Sequence, residues 1–158
     1  MAAGFDMSGI RDLKTRIGRM TDPAFRVELA QVLSVAALAE VSNGFVHSRD
    51  PYGTPWKPLA WRKGQPLRDT GRMQGSVHVG RVGADGFTIR IGAGYAVYHQ
   101  DGARTRRPLA GGKSRARVGS LPQRRMVPDA ATGIGPIWAA TFRRDANALL
   151  LRSMRRGH

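Results

Sequence analysis

The side chains that most often carry enzyme chemistry are sparse and scattered along this sequence. It has no cysteine, and its 11 acidic residues are spread thinly, which is poor material for paired acid–base catalysis or a two-metal site. No nucleophile motif or phosphate-binding glycine loop is present. The sequence therefore predicts neither catalysis nor a metal nor another cofactor. The four histidines lie outside any metal-ligand spacing, and His99 is expected to hydrogen-bond within the turn of residues 95–100; they are His47, His78, His99 and His158.

Basic residues are the strongest chemical signal. The chain has 26 Lys and Arg against 11 Asp and Glu, a net charge of +15, which points to an anionic partner, either nucleic acid or an acidic protein surface. Residues 102–120 contain no acid and little to bury, so we predict a basic arm that is mobile in the free chain or forms a long hairpin tip. A solvated loop that only keeps the protein soluble is the other interpretation. The predicted contact residues are Arg104, Arg106, Arg107, Lys113, Arg115, Arg117, Arg124 and Arg125.

A loop over residues 47–75 is rich in proline and glycine yet carries two tryptophans and a tyrosine. Each large aromatic can bury roughly 150–250 Å², so we expect the loop to be ordered, with its aromatics packed against something. Two candidates remain open, the chain's own core and a neighbouring subunit. The residues predicted for a subunit or partner interface are Tyr52, Trp56, Trp61, Tyr95 and Tyr98.

The N-terminal half contains two predicted helices. Apolar residues at three- and four-residue spacing predict the first over residues 7–20, and a break follows at residues 18–22. Asp22 and Pro23 are a typical helix start, and the second helix should run from about Pro23 to about Val46. Its middle is apolar on nearly all sides, which predicts burial against the sheet on one side and a neighbouring subunit on the other. No run of 18 apolar residues is present, so neither a membrane span nor a membrane partner is expected.

The C-terminal half predicts a small antiparallel sheet and one helix. Alternation indicates a hairpin of residues 76–82 and 87–91 about a turn at residues 83–86, with a third strand over residues 123–127. Residues 69–74 suggest a single helical turn, residues 95–99 a turn of helix or a strand, and residues 136–156 a C-terminal helix. The predicted fold is α+β, with N-terminal helices, a small antiparallel β-sheet bearing the long basic loop, and the C-terminal helix, in one domain over residues 1–158.

Four motifs occur in order between about residues 40 and 130. They are DPYGTPWKPL (50–59), LRDTGRM (67–73), GYAVYHQDG (94–102) and LPQR (121–124). In this order they resemble the phage virion morphogenesis (tail completion) family of Mu-like tailed bacteriophages. The chain departs from the family pattern at Asp101, where an apolar or aromatic residue is common, and in the basic insert after Gly102.

The resemblance implies a structural virion protein at the head–tail junction, in the neck or as a tail completion or tail terminator protein. It implies a homo-oligomeric ring, expected to be hexameric, that joins or caps the tail and has no enzyme activity. Its partners would be copies of itself and other phage neck and tail proteins, with genomic DNA in the lumen as an alternative contact of the basic arm. The protein would then lie in the virion and, during assembly, in the host cytoplasm. Charge alone suggests a different class, a basic nucleic-acid-binding protein, and a weaker third alternative is an enzyme such as an endolysin or nuclease.

Overall fold

The chain folds into helices and two small antiparallel sheets, which confirms the predicted α+β class. The computed structural model describes residues 14, 17–18, 20–60, 63–107 and 117–155, with the backbone alone at 104–107 and 117–119. Within these ranges the helices are α1 (Pro23–His47), α2 (Arg72–Gly75), α3 (Ala96–Asp101) and α4 (Pro136–Arg155). The strands are β1 (Val77–Gly83), β2 (Gly86–Ile91), β3 (Ala103–Arg107) and β4 (Arg117–Leu121).

Helix α1 begins where the sequence predicts. Asp22 caps it, since its Oδ1 accepts the N–H of Ala24 at 2.9 Å, and Pro23 takes a first-turn position where no N–H is needed. The helix ends one residue after the predicted Val46, at His47, and Ser48 follows with a left-handed backbone. The predicted break at residues 18–22 is too wide, because Gly18, Met20 and Thr21 are helical and, among the residues described in that stretch, Asp22 alone is not. Most of the predicted helix over residues 7–20 lies outside the described residues.

The hairpin of β1 and β2 also matches its prediction. The strands pair antiparallel, with Val77 opposite Ile91 and Gly83 opposite Gly86, and a bulge lies between Val79 and Val82. Residues 95–99, left open between helix and strand, belong largely to the short helix α3.

The predicted third strand over residues 123–127 is wrong. The strand lies earlier, at β4, which pairs with β3 from Ala103 opposite Leu121 to Arg107 opposite Arg117. Pro122 has no N–H to extend that pairing, and the N–H of Arg124 is donated to the carbonyl of His99 at 2.7 Å instead. Residues 102–120 therefore contain a paired β-hairpin, and its tip at residues 108–116 lies outside the described residues.

The core lies where α1 meets the β1–β2 hairpin, the loop before α2, and α4. Helix α1 contributes Ala37, Val41 and Phe45, each at most 2% exposed. Trp138 of α4 closes the opposite side, at 5% exposure. The other buried members of this cluster are Trp56, Met73, Ala93, Ala96 and Met126.

By length and mean hydropathy (1.4), α1 is able to cross a membrane, although the absence of a long uninterrupted apolar run predicted no span. The core helix of a soluble protein meets the same two criteria. Because α1 packs here against β1, β2 and α4, its apolar character is weak evidence for a span.

Candidate functional site

Gln100, at the end of α3, ties together the two ends of the β3–β4 hairpin. Its Oε1 accepts the backbone N–H groups of Met126 (2.9 Å) and Val127 (3.3 Å), and its Nε2 donates to the carbonyl of Val127 at 2.7 Å. Gln123 donates back from Nε2 to the carbonyl of Gln100 at 3.1 Å. One amide thus satisfies three backbone groups that would otherwise lack partners. Gly102 follows with φ +75°, a conformation that favours glycine, and turns the chain into β3.

Arg124 is part of the same network and is not available as part of a basic arm. It is 4% exposed, and its guanidinium donates from Nε to the carbonyl of Lys57 (3.0 Å) and from Nη2 to that of Pro58 (3.2 Å). Burial lowers the pKa of the Arg124 guanidinium. The prediction that Arg124 contacts an anionic partner is therefore wrong, because its guanidinium is used to hold the loop of residues 47–75, called the aromatic loop below.

Trp56 lies in the chain's own core. Of the two alternatives left open by the sequence, packing in the core is therefore confirmed for Trp56, and its assignment to a subunit interface is wrong. It is 6% exposed, and its ring meets Phe45 edge-on at a centroid distance of 5.5 Å. Its Nε1–H donates to the carbonyl of Arg125 at 3.0 Å, which satisfies the indole's one polar group. Gln100, Arg124 and Trp56, with the backbone groups they bond, are called the hairpin anchor below.

Tyr52 and Arg125 are also occupied within the chain. The Tyr52 hydroxyl donates to the carbonyl of Gly133 (3.1 Å) and accepts the N–H of Asp129 (3.1 Å). Arg125 lies over the Tyr52 ring, 5.8 Å from its centroid, and pairs with Asp129 at 3.1 Å. Hydrogen bonds from Thr132, with the charge of Arg125 adding to them, lower the pKa of Asp129. These contacts hold the loop before α4 and keep the Arg125 side chain against the body of the chain, at 32% exposure.

The four sequence motifs meet in this region. Trp56 comes from the first, Gln100 from the third and Arg124 from the fourth, and Met73 of the second is buried in the adjoining core. Nothing in the sequence indicated that they touch, since the contacts span 23 to 69 residues of chain. The motif residues thus act on the fold, by fixing the base of the β3–β4 hairpin.

His99 offers no catalytic pairing among the described residues. Its Nδ1 is buried without a hydrogen-bond partner in that part of the chain, so the predicted hydrogen bond of its ring within the turn is wrong. Burial, and secondarily the positive charge of Arg124, lowers the pKa of His99. A cavity of about 260 Å³ lies beside it, with Tyr95 and Thr70 on its walls, but no nucleophile is bonded to the imidazole. No group of three metal-ligating side chains occurs in the described ranges.

The remaining predicted site residues fall into three groups. Tyr95 and Tyr98 are 41% and 57% exposed at α3, as a partner contact requires. The backbone places Arg104, Arg106 and Arg107 on β3 and Arg117 on β4. Trp61, Lys113 and Arg115 lie outside the described residues.

The sequence alone did not identify the residues of a second exposed surface, which lies between α1 and α4. Helices α1 and α4 leave between them an open groove of about 620 Å³, called the α1–α4 groove, with Val35, Ala39 and Leu149 among its apolar lining. Val35 is 66% exposed, the highest value among the large apolar side chains of the described residues. The rim is polar: Thr141 donates to Glu40 at 2.6 Å, and Arg144 to Asp145 at 2.9 Å. The sequence predicted an outward apolar face on this helix, but the groove exists only because α4 lies alongside.

Comparison of the chain with protein-family models, with curated proteins and with solved structures found no match in any of the three.

Proposed function

We propose that this chain is a structural protein of a tailed-phage virion, located at the head–tail junction, where it forms a homo-oligomeric ring that joins or caps the tail. The proposal combines the order of the four motifs with the surfaces that the folded chain leaves open. A structural role also agrees with the use of the motif residues, which brace a loop and a hairpin instead of lining a reactive site.

The observation that carries the proposal is the uncovered apolar face of α1. One side of the helix is buried on β1 and β2, while Val35 and Val46 on another side are 66% and 46% exposed. Apolar surface gains roughly 25 cal/mol per Å² on burial, so a face of this kind favours association. Interface cores are depleted of charge, and this face has aliphatic side chains along its middle.

The basic hairpin supplies the second contact of the proposed ring. The hairpin anchor holds both ends of β3–β4, so the arginine-rich strands leave the body from a fixed base. In a ring, each copy would add the same positive surface at the same height. We propose that this surface clamps an acidic neighbour in the neck, because arginine pairs with carboxylates through two parallel hydrogen bonds.

Light scattering coupled to size-exclusion chromatography, at low and at high salt, tests the assembly. The expected result is one closed species of several copies, seen as rings by electron microscopy, with head-to-tail contacts. Val35→Asp should shift that species to monomer with unchanged circular dichroism, while the same change at exposed Ile134, in the loop before α4, is the control. A monomer at every concentration, or a two-fold dimer, would contradict the proposal.

A second candidate, a nucleic-acid-binding protein, is favoured by the hairpin itself. A two-stranded β-ribbon fits the major groove of DNA, and β3 and β4 carry four arginines. The logarithm of the binding constant for duplex DNA would then fall with the logarithm of the salt concentration, with a slope that steepens by about 0.9 for each phosphate neutralised. Tight, steeply salt-dependent binding of DNA by a chain that stays monomeric would favour this candidate over the ring.

A further inference from the structure

We infer that residues 8–20 of one copy dock as a helix in the α1–α4 groove of the next copy. The inference rests on the proposed self-assembly and specifies its contact. It joins the apolar face of the segment, of which Ile17 and Met20 are exposed, to the open apolar groove.

The first surface is the end of the N-terminal segment. Ile17 and Met20 are helical, yet 54% and 55% exposed. The sequence pattern places Ile10 and Leu13 on the same face as these two, at three- and four-residue spacing. A lone helix shorter than about 12–15 residues is marginal in water, and Gly18 weakens it further. The segment therefore needs a partner surface for its apolar face.

The second surface is the groove. Its floor along α1 extends from Val32 to Asn43, about 17 Å at 1.5 Å per residue, close to the length of about 20 Å for a helix over residues 8–20. Part of the groove is lined by the small side chains of Ala36 and Ala39 on α1 and Ala148 on α4. Small side chains let a third helix approach to the usual 8–10 Å between axes.

The described end of the segment does not line the groove of its own chain. Met20 and Thr21 are helical, Asp22 separates them from α1, and the carbonyl of Asp22 already accepts the N–H of Arg26 at 3.0 Å. Two antiparallel helices need a connection of about two to five residues. An interruption of one residue is too short for Met20 and Thr21 to fold back along α1, so the groove remains open to another copy.

Charge permits this docking. The segment carries Arg11, Lys14, Arg16 and Arg19 against one acid, Asp12. The groove offers the carboxylates of Glu40 and Asp145 on its rim, alongside Arg144 and Arg152. The apolar contact should therefore supply most of the binding, with basic side chains of the segment drawn toward Glu40 on α1.

The contact is heterologous when the segment of each copy meets the groove of the next copy along. Repeated head-to-tail contacts of this type close into a ring when the rotation per copy is right. In a two-fold dimer the two copies would instead exchange segments, so the number of copies in the assembly distinguishes the two arrangements.

Cysteine cross-linking in the full-length chain tests the inference, because the natural sequence has no cysteine to interfere. Ile17→Cys is made in one tagged copy and Ala39→Cys in an untagged copy, and the two are mixed and oxidised mildly. The matched control replaces Ala39→Cys by Ile134→Cys, at a residue that is 56% exposed in the loop before α4, outside the groove. We expect at least tenfold more mixed disulfide for the Ile17–Ala39 pair than for the control pair.

Each other outcome has a separate meaning. If the chains assemble but the Ile17–Ala39 disulfide does not exceed the control, the inference is wrong while the proposed ring stands. If the chains do not assemble at all, both are wrong. If anionic phospholipid vesicles, not other copies, protect Ile17→Cys from a maleimide, the segment is a membrane-surface helix and the inference is wrong.

Discussion

The hairpin anchor and the α1–α4 groove use their residues in opposite ways. At the anchor, an indole, an amide and a guanidinium each find partners inside one chain, and Trp56 and Arg124 are 6% and 4% exposed. At the groove, aliphatic side chains face outward, and Val35 is 66% exposed. Tryptophan and arginine are common at interfaces, but here both complete a monomer. The surface that we propose for assembly consists instead of ordinary alanine and valine.

The comparison is tested most strongly at Trp56. Trp56→Ala removes a buried ring and the donor to Arg125, and should lower the free energy of unfolding by about 3–5 kcal/mol. Urea denaturation at protein concentrations below those of assembly measures the loss in the monomer. Trp56→Phe, which keeps an aromatic ring against Phe45, should cost distinctly less. An unchanged urea midpoint for Trp56→Ala would show that the anchor does not stabilise the single chain.

Arg124→Met should have the next largest effect. The methionine keeps most of the buried stem but leaves the carbonyls of Lys57 and Pro58 without their donor, at a cost of about 2–3 kcal/mol in unfolding free energy. Arg152→Met, at an exposed arginine on α4, is the control and should stay within about 0.5 kcal/mol. If both variants unfold at the same urea concentration, Arg124 has no anchoring role.

Two valines on α1 separate core from assembly. Val41 is 2% exposed and Val35 is 66% exposed, so Val41→Ala should cost about 2 kcal/mol of unfolding free energy and Val35→Ala close to nothing. In assembly the order should reverse, because only Val35 lines the groove. Urea denaturation and light scattering on the same samples measure both effects. Equal losses of stability would contradict the division between the two faces.

The smallest expected effect is a pH dependence at His99. Its folded pKa lies below the usual 6.5, so the unfolded chain binds this proton more tightly. The contribution of His99 is complete above pH 6.5 and is lost as the pH falls from there toward the lowered pKa. His99→Gln should therefore flatten the rise in urea midpoint with pH below about pH 6.5. The pKa of Asp129 is lowered from 3.8, so its contribution is lost only below that value. If the urea midpoint of His99→Gln rises with pH as steeply as that of the natural chain, the pH dependence comes from other groups.

Local features explain which parts of the fold were predictable. The start of α1 follows from Asp22 and Pro23 acting within one turn, and the β1–β2 hairpin follows from alternation around a short turn. The third strand was misplaced because Arg124 and its neighbours make their hydrogen bonds to α3 and the aromatic loop, far away in the chain. The partners of such bonds are not adjacent in sequence, so no local pattern identifies them.

By itself, the sequence determined the elements, their period and the excess of positive charge, because caps, turns and alternation depend on residues a few positions apart. Only the tertiary structure decided which of the aromatic and basic residues face inward. From the sequence, Trp56 and Arg124 are named as contact residues, whereas Val35 is not singled out within a helix that is apolar on nearly all sides. Their roles are exchanged because burial depends on what packs alongside: α1 covers Trp56 through Phe45, while nothing in the described chain covers Val35. Long-range packing alone therefore separates the residues that complete the core from those left exposed on the surface.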